Sequence, residues 1–115
     1  MTAIAKQLSK EEMQELAQYY AARTPKPLEF KPDGAKVGLG RKKADETLCS
    51  MCHLGGFSGQ NEIPRVAGQM PDYVRKQLSD FKAHRRTNDA GNMTSVSRTL
   101  SDEDIENRAQ YLAGL

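Results

Sequence analysis

Cys49-Ser50-Met51-Cys52-His53 sets two thiols three positions apart, with an imidazole directly after the second. That is the C-x-x-C-H pattern of covalent c-type haem attachment. Two thiols one helical turn apart can add to the two vinyl groups of a porphyrin, and the adjacent histidine then lies under the iron as its proximal ligand. The same residues admit other chemistry. A zinc site requires four nitrogen or sulfur ligands, and only His84 remains to join Cys49, Cys52 and His53. A thioredoxin-like dithiol belongs at a strand-to-helix turn, and nothing before Cys49 alternates as a strand does. Two cysteines and a histidine without a function are the remaining alternative for so short a motif.

A sixth iron ligand can be sought among Met51, Met70, Met93 and His84. Met51 is locked inside the attachment motif. Met70 precedes Pro71 at a helix start, only a short loop from His53. Met93 follows the polar stretch Thr87-Asn88-Asp89-Ala90-Gly91-Asn92, which is long enough to cross to the opposite haem face, and this favours Met93. Core packing is the ordinary role of a methionine, but Met93 reads as a loop residue with no apolar neighbour on its N-terminal side. His84 falls in Lys82-Ala83-His84-Arg85-Arg86 at a helix end, where a solvated cation complements the dipole.

Helices must position these groups. Leu100-Ser101-Asp102-Glu103-Asp104-Ile105 carries a capping box and a hydrophobic staple, and Ile105, Ala109 and Leu112 continue as one stripe toward Gly114. Leu8-Ser9-Lys10-Glu11-Glu12-Met13 repeats the signal, with Met13, Leu16, Ala17 and Tyr20 as its stripe. A constant offset pairs Met1 with Met93, Thr2 with Thr94, Leu8 with Leu100, Ser9 with Ser101 and Tyr19 with Tyr111. The end of the chain is thus echoed at its front, while the cysteine-bearing middle occurs once. The alternative is a match by composition between two amphipathic helices.

Thr24 to Gly34 holds three prolines in eight residues and reads as a semi-rigid linker or a surface-hugging loop. Ala35 to Thr47 is weakly helical, and its Gly38 and Gly40 allow a second helix to come close. Pro71 to Arg86 reads as a helix with Val74, Leu78 and Phe81 on its apolar face. The expected division is a helical tail over 1–23, a linker over 24–34 and a haem domain over 35–115.

The 115 residues suffice for one domain of ordinary size. Hydrophobic residues make up 37%, aromatics 6%, and there is no Trp, so the core is thin unless a buried porphyrin fills it. With 17 Lys and Arg against 15 Asp and Glu, the formal charge of +2 is far from a nucleic-acid-binding surface. No apolar run approaches the roughly 18 residues of a membrane span, and the first residues lack the apolar centre of a signal peptide. Two cysteines, both in the attachment motif, exclude a disulfide framework.

Beyond the attachment motif come Ile63-Pro64-Arg65-Val66-Ala67-Gly68-Gln69, Tyr73-Val74-Arg75-Lys76-Gln77-Leu78, Asp80-Phe81-Lys82, Arg86-Thr87-Asn88-Asp89, Met93 and Leu100 to Ile105. In this order they resemble a domain of the dihaem cytochrome c-four family, over roughly Gly34 to Leu115 and most like its C-terminal haem domain. The resemblance implies an all-α, class I cytochrome c fold: three main helices around one covalent haem c, with the front helix as an addition. It implies His53 and Met93 as axial ligands and the Pro64 carbonyl as the group that fixes the proximal imidazole. Met1 stands before Leu8 as Met93 stands before Leu100, so the front resembles the end of a preceding cytochrome domain. Leu54 and His84 depart from the pattern, since glycine is common at or near both.

The expected function is one-electron transport in the periplasm, where such haem attachment takes place, with an exported precursor. An oxidase, reductase or dehydrogenase is the expected redox partner, and no nucleic acid. The porphyrin edge near Cys49 and Cys52 would dock it, with Arg41, Lys42, Lys43, Arg65 and Arg75 as candidate cations. The alternative is an electron-accepting subunit of a redox enzyme, such as a flavocytochrome c sulfide dehydrogenase, bound to a larger catalytic subunit. Haem-based sensing or peroxidatic catalysis would need an open sixth position.

Overall fold

A computed structural model describes residues 2–115; Met1, the counterpart of Met93 in the repeat, lies outside the described residues. The helices in chain order are α1 (Thr2–Ala5), α2 (Lys10–Ala21), α3 (Gly34–Glu46), α4 (Cys49–His53), α5 (Pro71–Lys82), α6 (Asn92–Arg98) and α7 (Asp102–Ala113), with a 3-10 turn at Gly55–Phe57. Among the described residues there is no strand, only an isolated bridge between Gln60 and Ile63. Among the described residues no helix is long and apolar enough to cross a membrane.

The closing helix forms as its sequence predicts. The Ser101 hydroxyl accepts the Asp104 N–H at 3.0 Å, and the Asp104 carboxylate accepts the Ser101 N–H at 2.9 Å, which satisfies two of the free N–H groups at the helix start. Leu100 and Ile105, the staple pair, are both buried, and Ala109 and Leu112 continue the buried face. Opposite lies α3, started by the Asp33 carboxylate, which accepts the N–H groups of Ala35 and Lys36. α3 and α7 make the most extensive helix contact; α5 packs on α7 and α6 and buries Val74, Leu78 and Phe81, the three residues of its apolar face, with Val74 and Leu78 in one cluster with Ile105, Ala109 and Leu112 of α7.

α5 stops at Lys82, four residues short of the predicted end at Arg86. His84 takes a left-handed conformation (φ 55°), its N–H donates to the Phe81 carbonyl at 3.1 Å, and the Arg85 N–H reaches back to the Asp80 carbonyl at 2.8 Å. This is a Schellman ending with a histidine where glycine is usual. His84 is exposed, so its replacement sacrifices no packing. His84→Gly should stabilise the protein by about 1 kcal/mol, the relief of a left-handed L-residue less glycine's chain entropy. Thermal unfolding checks this, and an unchanged or lower midpoint would refute it.

The Asp80 carboxylate accepts Arg85 Nε at 2.8 Å and is paired with Lys76. These two cations, Lys76 foremost, hold its carboxyl below the usual carboxylate range. A depressed folded value means stabilisation that is complete above the unfolded value of about 3.9. It is lost as pH falls through the folded one. Thermal midpoints measured from neutral to acid pH should therefore fall more for the parent than for Asp80→Asn; parallel curves would remove Asp80 from the acid response.

The front of the chain behaves differently. α2 has the same reciprocal cap as α7, Ser9 with Glu12, yet no residue of α2 is buried. Leu16 is 43% exposed, whereas Ile105, on the repeated stripe in α7, is 3% exposed. Between α2 and α3 the proline-rich segment lies along the domain, with Leu28, Phe30 and Pro32 half-buried and the Asp33 N–H bonded to Gln110 Oε1 at 3.2 Å.

Candidate functional site

α4 is a single turn whose five residues are the attachment motif itself. It is cut off on both sides by left-handed backbone, Leu48 before it (φ 54°) and Leu54 after it (φ 63°, ψ 169°). The Leu54 conformation is one that glycine alone occupies at low cost, which is a physical reason for glycine to be common there and makes Leu54 a costly departure. Cys49 is half-buried against the core, Cys52 is exposed, and both thiols are free. The Thr47 hydroxyl lies 3.4 Å from Cys49 Sγ.

His53 is buried, and its Nδ1–H donates to the Pro64 carbonyl at 2.8 Å. That bond assigns the proton to Nδ1 and leaves the Nε2 lone pair for a metal. Gly59 makes this contact possible. Its φ of 80° turns the chain, and a Cβ there would stand 2.6 Å from the Ile63 carbonyl oxygen, so only glycine lets 59 and 63–65 close up. The loop is tied by the Gly59 N–H to the His53 carbonyl at 2.9 Å and by the Val66 and Ala67 N–H groups to the Phe57 carbonyl.

Met93 lies in the first turn of α6 rather than in a loop, half-buried and packed on the same core cluster as Cys49. The turn is fixed by Asp89, whose carboxylate accepts the Thr94 N–H at 2.6 Å and is held below the usual carboxylate range chiefly by that bond. Met51 and Met70 are 68% and 58% exposed, and His84 stands in solvent beyond α5. Among the described residues no three His, Cys, Asp or Glu side chains gather as they would around an ion, so a zinc site is not assembled. No strand leads into Cys49, as a dithiol enzyme of the thioredoxin kind would require.

Two of the candidate docking cations are engaged elsewhere. Arg75 binds Asp72 and Glu106, the latter at 2.8 Å, and Lys43 lies 3.5 Å from Glu46 and 3.9 Å from Asp104. Arg41, Lys42 and Arg65 are exposed. Gly59, Asp89 and Thr47 were not legible as site residues, because each acts through backbone geometry or a contact that the fold creates.

The donor set fits a c-type haem: two free thiols on one turn, a buried imidazole with its second nitrogen tied to a carbonyl, and a half-buried thioether on the core. The comparisons agree with the fit. The family model described as Cytochrome c matches residues 37–115. Among curated proteins, the chain is 35% identical to a cytochrome c4 of Thiocapsa roseopersicina, over 100% of this chain and 65% of that one. It is 32% identical to a thiosulfate dehydrogenase electron acceptor of Thiomonas intermedia (strain K12), over 98% of this chain and 57% of that one. Among solved structures, the crystal structure of reduced recombinant cytochrome c4 from Pseudomonas stutzeri superposes with a TM-score of 0.86 at 29% identity, over 100% of this chain and 65% of that one. The chain spans about three fifths of the length of the curated relatives it matches.

Proposed function

Because the chain belongs to the cytochrome c family, and within it to the cytochromes c4, which are electron carriers of class I fold, we propose that it carries one electron in the periplasm. Cys49 and Cys52 would hold a single haem c, and His53 Nε2 and Met93 Sδ would be the ligands to its iron. The iron supplies the ferrous–ferric couple, and a sulfur ligand favours the ferrous state. The chain's own residues orient and shield: Pro64 fixes the His53 ring, Asp89 fixes the turn bearing Met93, and the α3–α5–α7 packing supplies the apolar surroundings. The observation that carries this reading is the His53–Pro64 contact at 2.8 Å, because it prepares a buried imidazole directly after the two thiols to bind through Nε2.

The test is a visible spectrum of oxidised and dithionite-reduced protein, with a denaturing haem-stained gel. Sharp reduced c-type bands, haem retained on the gel and a weak sulfur-to-iron charge-transfer band when oxidised are expected. A colourless chain would overturn the haem reading. Haem without the sulfur band would remove Met93 as ligand and reopen sensing or peroxidatic chemistry.

The division at 1–23, 24–34 and 35–115 forms part of the proposal. The front segment is read as the closing helix of another haem unit, since α2 repeats the sequence and cap of α7 but buries none of its stripe. A second reading, an electron acceptor serving a dehydrogenase, is favoured by the thiosulfate dehydrogenase electron acceptor among the relatives. Reduction of the haem by a purified dehydrogenase, and co-purification with it, would support that reading. A stable monomer indifferent to such an enzyme would support the free carrier.

A further inference from the structure

Arg108 is the largest charged group inside the domain. It is 2% exposed, on the face of α7 that meets the end of α3. Its Nη2 donates to the Lys43 carbonyl at 2.8 Å and to the Thr47 hydroxyl, and that hydroxyl lies 3.4 Å from Cys49 Sγ. The guanidinium therefore reaches the first attachment cysteine through one side chain. Its Nε, also buried, has no partner.

Buried charges are normally paired, because an unpaired one costs several kcal/mol. Arg108 has no carboxylate within ion-pair distance among the described residues. Asp104 and Glu46 act on it only at longer range, and each is closer to Lys43. Burial lowers its pKa, partly offset by Cys49, Asp104 and Glu46, but a guanidinium keeps its proton in proteins. A fixed, largely uncompensated positive charge thus lies beside the attachment site, where the surroundings screen it less than water does.

We propose that Arg108 is a positioning residue for the haem site whose buried charge sets the redox poise, holding the iron toward the ferrous state. The proposal rests on the haem reading above. Oxidation adds one positive charge to the iron, and a neighbouring buried cation opposes that addition. The hydrogen bonds to Lys43 and Thr47 keep the guanidinium at the end of α3, next to Cys49, instead of letting it reach solvent.

The test is an equilibrium redox titration of the holoprotein after its spectrum has shown attached haem, so that absence of haem defeats the haem reading and an unmoved potential defeats this one. Arg108→Met and Arg108→Gln both keep volume without charge. Arg108→Lys keeps charge without the fork, and Thr47→Val removes the link to Cys49 while leaving the charge. At a fixed poise the ferrous-to-ferric ratio should fall about tenfold in the Met and Gln variants, equivalent to about 59 mV for one electron. It should stay within about twofold of the parent in the Lys and Thr47 variants. Removing a buried charge that has no carboxylate partner relieves its desolvation cost, so the Met variant should fold. A parent-like potential in either neutral variant, or a tenfold shift in Thr47→Val, would overturn the proposal. An equal fall in Arg108→Lys and Arg108→Met would do the same, since the potential would then follow hydrogen-bond geometry and not charge.

Discussion

Gly40→Ala is expected to cost about 3 kcal/mol or more and to lower the thermal midpoint by roughly 10 °C. A Cβ at this position would overlap the Asn107 carbonyl oxygen and stand 2.6 Å from its carbon and 2.9 Å from Tyr111 Cβ. These are main-chain and Cβ atoms of α7, which no rotamer change can move aside. The two helices would have to separate at the contact that joins the start of the domain to its end, and with them the support for Thr47 and Cys49. Gly38, two residues earlier in the same helix, has nothing within 4 Å of its Cβ position. Gly38→Ala should therefore stabilise by about 0.5–1 kcal/mol through helix propensity alone. Opposite shifts of the two midpoints in thermal melts are the expected result. Equal shifts would mean that the close approach of α3 and α7 does not govern stability.

The second large effect is expected from Met93→Ala. Axial ligation accounts for a span of roughly 0.8 V among haem proteins, so losing the sulfur ligand should lower the potential by an amount on the order of hundreds of millivolts. The sulfur-to-iron band should vanish, and carbon monoxide and cyanide should bind without denaturant. The turn itself should survive, because Thr94 and Ser97 are buried and the Asp89 carboxylate still accepts the Thr94 N–H. Met70→Ala is the control, since Met70 is exposed and should leave spectrum and potential unchanged. A Met93→Ala protein with the parent's spectrum and potential would exclude Met93 as the ligand.

Features that depend on neighbours in the chain can be read from the residues alone. The attachment motif is five consecutive residues, and its spacing is its chemistry. The caps of α2 and α7 are three-residue relations, and the stripes of α5 and α7 are helical periods; all of these form in the structure. Periodicity alone carries α5 to Arg86 because it does not register a residue that turns left-handed, and the chain reversal at His84 is set by the main-chain bonds back to Asp80 and Phe81.

Which stripe is covered depends on the packed fold. α2 and α7 carry the same local signal, yet α7 finds Gly40 of α3 against it while α2 buries nothing, because burial depends on a partner surface and not on the helix's own pattern. The same reason hides the supports of the site. The Pro64 carbonyl and the Gly59 turn act through the backbone, which every sequence shares, and Arg108 meets Lys43 and Thr47 across more than sixty residues of chain. Three of the four proposed haem-binding side chains, Cys49, Cys52 and His53, stand in one short run of sequence, and Met93 follows forty residues later. What surrounds them depends on long-range packing, which brings the Pro64 carbonyl to His53 and the buried Arg108 to Thr47, beside Cys49.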